Sequence, residues 1–174
     1  MTQLSRPGSG EYAPFYAGYV AEMPDGDILA ALERQREETF SLLSALPEER
    51  GNHRYAPGKW TVKDIAGHLA DAERIFAYRA LRFARGDAAP LAGFDENEYA
   101  RSAGAGHRPL VELAGELHDV RRATLAMFRG LPPGAGERRG SANGVDISVR
   151  ALAWVIAGHE RHHLRVLHER YLTG

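Results

Sequence analysis

The chain has 174 residues, a net charge of −1 at neutral pH, 44% hydrophobic and 26% charged residues, a composition that gives a globular protein room for a sizeable core. The near-zero charge and the lack of a basic block exclude a nucleic-acid partner of the usual kind, and no apolar run reaches the about 18 residues of a membrane span. The chain has no cysteine, so neither a disulfide nor a thiolate of its own can serve stability or chemistry.

The length suggests one domain over residues 1–174. The first residues lack the charged and apolar regions of a signal peptide, so the cytoplasm is the expected location. Residues 1–24 are rich in Gly, Pro and Tyr, with Tyr12, Pro14, Tyr16 and Tyr19 among them. They read as an irregular arm that packs its aromatics on the body. Asp25 or Asp27 can cap a helix over about 27–46, with Ile28, Leu29, Leu32, Phe40, Leu43 and Leu46 apolar and Pro47 ending it. After a loop over 47–60, Thr61 and Asp64 form a variant of the capping box and open a helix over about 62–85. Its stripe is Ile65, His68, Leu69, Ala72, Ile75, Phe76 and Phe83, at spacings of three and four.

Residues 86–90, with Gly86 and Pro90, break that helix. A polar connection over 91–107 has room for a short helical piece. Pro109 suits the first turn of a third helix, about 109–130, whose apolar face is Leu110, Leu113, Leu117, Val120, Leu125 and Phe128. Residues 135–147 read as a loop with a small hairpin at Asn143-Gly144. Ser148 caps a fourth helix over about 149–172, with the stripe Val149, Leu152, Ile156, His159, His163 and Val166. There is no repeat and no strand-rich region. The expected fold is all-α, an antiparallel four-helix bundle with long loops.

Histidines His159 and His163, four apart on a helix, project from one face. Both replace apolar residues of a buried stripe, and burying imidazoles is costly unless their nitrogens are satisfied. Two solutions are open: hydrogen-bonded core histidines, or a metal ion. His68 at a buried position on a second helix adds weight to the metal, because three imidazoles facing into one bundle can hold a divalent ion with open positions. His162 lies to the side of the stripe as a flanking residue. His53, His107, His118 and His168 fall in loops or on polar faces. Asp71, three residues after His68, can orient that ring or pair with Arg74 or Arg79, Glu160 is a partner for an arginine, and Trp60 and Trp154 read as core.

His159-Glu160-Arg161-His162-His163 also fits H-E-x-x-H, the zinc protease signature. Only eleven residues follow His163, the extended form would need Gly and His where Val166 and Glu169 stand, and no strands precede it, so that reading is set aside.

Three segments together resemble the DinB-like (YfiT-like) superfamily of metal-dependent hydrolases: Tyr16-Ala17-Gly18-Tyr19, the stretch from Trp60 through His68 and Asp71 to Arg74, and the stretch from Ser148 through His159 and His163 to Leu172. The resemblance implies a four-helix bundle, often a homodimer, with a divalent metal on His68, His159 and His163. Zinc or nickel is the usual suggestion, and iron or manganese suits the same ligands. It further implies transfer or isomerisation with a low-molecular-weight thiol, such as bacillithiol or mycothiol, acting on an electrophilic small molecule. A hydrolase using metal-activated water and a non-catalytic metal-binding stress protein are the alternatives.

Overall fold

The computed structural model describes residues 4–172. The N-terminal arm is more ordered than the Gly and Pro content suggests. Two 3-10 turns, Ser9–Glu11 and Pro14–Tyr16, lead into a short helix α1, Ala17–Glu22. The arm is fastened by a buried carboxylate. Glu11 accepts from the Ser148 hydroxyl at 2.8 Å and from Arg150 at 2.7 and 2.6 Å. Those bonds, Arg150 foremost, hold its pKa down at about 2. Further back, Trp154 Nε1 donates to the Leu4 carbonyl at 3.1 Å, and the Arg6 guanidinium lies 4.4 Å from the centre of the Trp154 ring.

Asp27 accepts from the amides of Leu29 and Ala30 and starts α2, Ile28–Ala45. A single turn α3, Glu48–Gly51, follows at Pro47. Thr61 and Asp64 close the expected reciprocal cap, at 3.0 and 2.9 Å, and open α4, Val62–Ala84. The connection after it contains α5, Glu96–Ser102. Pro109 stands at the N-cap of α6, Leu110–Arg129, one residue before the first turn where the sequence suggested it. Its fixed φ suits either place, and at the cap it leaves Leu110 to begin the helix. The hairpin is β1, Arg139–Ala142, and β2, Val145–Ser148, in antiparallel register with Ala142 opposite Val145. Asn143 (φ 54°) and Gly144 (φ 75°) make the two-residue turn. Both central residues are left-handed, as a type I′ hairpin requires. Ser148 ends β2 and caps α7, Val149–Val166. The chain then widens into a π-helical turn, Leu167–Tyr171, instead of continuing as α-helix to 172. Tyr171 is buried there and donates its hydroxyl to the Trp60 carbonyl at 2.8 Å. No helix is long and apolar enough to cross a membrane among the described residues.

The four long helices form the bundle. Around it the order is α2, α6, α4, α7, so each helix packs on two others. Neighbours α2 and α6 run antiparallel, since Glu33 near the start of one meets Arg129 at the end of the other. Helices α4 and α6 run in the same direction, with Arg74 on Glu116 and Glu73 on Arg121. So do α2 and α7, with Gln35 on the Ala157 carbonyl and Thr39 on Glu160. The reason lies in the connections. The long 85–109 segment with α5 carries the chain back to the end where α4 began, whereas the hairpin returns it directly after α6.

Apolar packing falls into two clusters. One holds Trp154, Phe83, Phe128, Leu32 and Ile156; the other holds Leu43, Ile65, Leu69, Leu113 and Tyr171. A buried polar junction stands within the bundle. Arg121 on α6 is 1% exposed. Its guanidinium donates to both oxygens of Glu73 on α4 at 2.8 and 2.7 Å and to Glu160 on α7 at 2.6 Å. It also donates to the Leu32 carbonyl of α2 at 3.2 Å, and Thr39 of α2 donates to the other Glu160 oxygen. The sequence suggested an arginine partner for Glu160, and Arg121 is that partner. Removing it strands two buried carboxylates, so Arg121→Met is expected to cost about 3–5 kcal/mol in urea unfolding. A loss below about 1 kcal/mol would mean that the junction is solvated.

Candidate metal centre

His68 projects from the second turn of α4, and His159 and His163 from the last turns of α7. The antiparallel packing of these helices brings the three rings together. Nε2 of His159 lies 3.0 Å from Nε2 of His68 and 3.2 Å from Nε2 of His163. One ligand-capable atom from each of the three falls within 4.8 Å of the others. His68 and His159 are buried, at 4% and 5% exposure, and His163 is half-buried.

Burial keeps all three rings neutral. Desolvation lowers the pKa of His68 to about 4 and that of His163 to about 3. His159 is pushed well below its ordinary value, first by desolvation and then by its neighbours His163, His68 and His162. Neutral imidazoles present lone pairs. Two nitrogens bound to one ion at about 2.0–2.1 Å stand roughly 2.8–3.4 Å apart for ligand angles between a right angle and a tetrahedral one. The observed spacings of 3.0 and 3.2 Å match that range. The donor set therefore fits a divalent cation.

Aromatic rings lock the imidazoles. Tyr19 of α1 meets His159 edge-on at 5.3 Å, and Phe76 meets it at 5.9 Å. Trp60 sits 4.7 Å from the His68 ring and lies nearly parallel to His163 at 6.2 Å. It is half-buried, packs on the second apolar cluster and also walls the site, while Trp154 is core as expected. The contact with Tyr19 depends on a close approach. A Cβ on Gly158 would lie 1.8 Å from the Tyr19 carbonyl oxygen, so only glycine lets α1 rest on α7 here.

The other candidates separate cleanly. His162 flanks the centre, with Nδ1 3.2 Å from Arg165. Asp71 turns to Arg74 at 3.3 Å. Glu160 points to Arg121 and Thr39, away from where a protease base would act. His118 meets Glu37 at 3.4 Å, and the His53 ring packs 6.0 Å from that of Tyr171. Beside His68 and His159 opens a cavity of about 120 Å³, walled by Phe15, Tyr16, Tyr19, Phe76 and Phe94, with Arg79, Glu96 and Asn143 supplying polar groups. Neither Arg79 as a wall residue nor the Glu73–Arg121–Glu160 junction was picked out from the sequence. The available signal was a charged residue at a stripe position: Arg79 lies three after Phe76, and Arg121 lies midway between Leu117 and Leu125.

The family model of the DinB superfamily matches residues 31–167. No curated protein matches the chain. Among solved structures, YfiT from Bacillus subtilis, described as "a probable metal-dependent hydrolase with an unusual four-helix bundle topology", is similar at a TM-score of 0.75 and 18% identity over 97% of this chain and 95% of that one. A mycothiol-dependent maleylpyruvate isomerase is similar at a TM-score of 0.63 and 18% identity over 84% of this chain, which spans 61% of that one. A mutant of a mycothiol-dependent maleylpyruvate isomerase gives a TM-score of 0.62 at 19% identity, with the same coverage. At these identities the likeness shows the fold.

Two outcomes are expected. In metal-stripped protein the folded histidines stay neutral to about pH 4 and 3, while unfolded histidines take up protons near about pH 6.5. The unfolded state binds more protons between those limits, so stability falls as pH drops below about 6.5. Melting temperature should be level above that pH and decline towards about pH 5, before most carboxylates titrate; a level curve to pH 5 would contradict it. Separately, Gly158→Ala should destabilise by about 1–3 kcal/mol through overpacking against α1, read by thermal unfolding. An unchanged midpoint would mean that α1 is not seated on α7.

Proposed function

The chain belongs to the DinB superfamily, and on that footing we propose that His68, His159 and His163 hold a divalent cation at a reaction centre. The proposed reaction is a transfer in which a low-molecular-weight thiol, of the bacillithiol or mycothiol kind, adds to an electrophilic small molecule. The carrying observation is the convergence of three imidazoles, two of which, His68 and His159, line a cavity, while Asp71 and Glu160 are turned to arginines.

A cation bound there would favour the thiolate of a ligated thiol over the thiol. Zinc or nickel leads the choice, with iron or manganese following, since imidazole alone discriminates weakly. The residues of the chain supply the surroundings. Burial keeps the imidazoles neutral at physiological pH, and the edge contacts of Tyr19 and Phe76 fix the His159 ring. Tyr16, Tyr19 and Phe76 keep water from one side of the cavity, which strengthens charge interactions inside it. Glu160 is committed to Arg121, and a ligated thiol would release its proton to solvent or to Glu96 at the cavity. The reading includes a single domain acting in the cytoplasm, where such thiols are kept reduced, and a homodimer as the family resemblance implies.

Metal content by mass spectrometry should be close to one ion per chain and be lost in His68→Ala and His159→Ala. Metal-loaded protein should then accelerate addition of bacillithiol, mycothiol or glutathione to a model electrophile. Metal without any thiol-dependent rate would reject the transfer. A hydrolase working on water at the same centre is the second reading, favoured by the description of YfiT; ester turnover without thiol would select it.

A further inference from the structure

We propose that Arg79 anchors a carboxylate of the molecule that enters the histidine cavity, so that the substrate is a small organic acid whose reactive end faces the histidines. This rests on reading the histidines as the reaction centre and names the substrate class for it.

Arg79 is 3% exposed and lines the cavity that His68 and His159 also line. Its polar contact is one hydrogen bond, Nη2 to the Ala92 carbonyl at 3.0 Å, and its guanidinium carbon stands 5.9 Å from the centre of the Phe76 ring. No carboxylate among the described residues comes within ion-pair distance of it. The comparison with the other buried cations is direct. Arg121 has Glu73 and Glu160, and Lys63 has Glu48. A buried charge without a counter-charge is costly, and a guanidinium with most of its donor fork free matches a carboxylate in two hydrogen bonds.

The position fits a ligand shared with the histidines. Arg79 follows His68 by eleven residues on α4, which places the two about 20° apart around the helix and about 16 Å apart along it. The acid group and the reacting end therefore sit at opposite ends of the molecule, with its body against Phe76 and Tyr16. Glu96, the acidic residue of the cavity, is exposed, so the buried charge that meets a ligand is positive. The competing role for Arg79 is to hold the 91–94 loop through Ala92, and the test separates the two.

The probe is 3-phenylpropionate, with 3-phenylpropionamide as its uncharged match, titrated by calorimetry into the full chain as purified and after metal removal, with metal content measured in each sample. The acid should bind both samples, and the amide about tenfold more weakly or worse, the loss expected for one charged hydrogen-bonded pair. Arg79→Gln should reduce the acid to the level of the amide and leave metal content unchanged. In the wild-type protein the side-chain Nε–H resonance of Arg79 should move with the acid and not with the amide, which decides the matter even if the variant fails to fold. Equal binding of acid and amide, no binding of the acid, acid binding confined to the metal-loaded sample, or an unmoved Arg79 resonance would each overturn the proposal. Acid binding through Arg79 in a protein that takes up no metal would retain the anchor and reject the metal centre, so the two failures are distinct.

Discussion

One guanidinium joins all four long helices. Arg121 of α6 is bonded to Glu73 of α4, Glu160 of α7 and the Leu32 carbonyl of α2, and Thr39 completes the set from α2. A junction of this kind contributes little net stability by itself, because desolvation offsets most of the attraction. Its effect is on register: slipping α4, α6 or α7 by one turn would leave a buried charge unpaired, and slipping α2 would cost the bonds of Leu32 and Thr39. Glu160 follows His159 directly, and Glu73 lies on the helix that carries His68. The alignment that satisfies Arg121 is therefore the alignment that brings the histidines together.

The junction bears on chemistry as well. In an H-E-x-x-H protease the glutamate is free to act as a base. Here the same residue is spent on the bundle, and His68 and His159 face a cavity bordered by aromatic rings. This arrangement provides ligands and an aromatic wall, with Glu96 as the acidic residue of the cavity.

Much of this was legible in the sequence because it is local. Caps at Asp27, Thr61 and Ser148, the Asn143-Gly144 turn and the three histidines on apolar stripes depend on neighbours three or four residues away. What was not legible is pairing across the bundle. Nothing in the spacing of α4 says that it runs parallel to α6; the return path through residues 85–109 decides that. The π-helical turn at Leu167–Tyr171 and the short helix α1 are likewise set by what they dock on, Trp60 and Gly158. Trp60 packs on the apolar cluster as its type suggests, but its stacking on His163 exists only once α7 is in place. Arg79 and Arg121 stood on apolar stripes, and an arginine there needs a partner that a single helix cannot reveal.

The central claim is that the three imidazoles converge on one cation. Anomalous diffraction from crystals of the metal-loaded protein, collected on either side of the zinc or nickel edge, tests it most directly. The account predicts one peak at about 2.1 Å from Nε2 of His68, His159 and His163. Loaded crystals with no peak there, and the three rings hydrogen-bonded to one another, would contradict it.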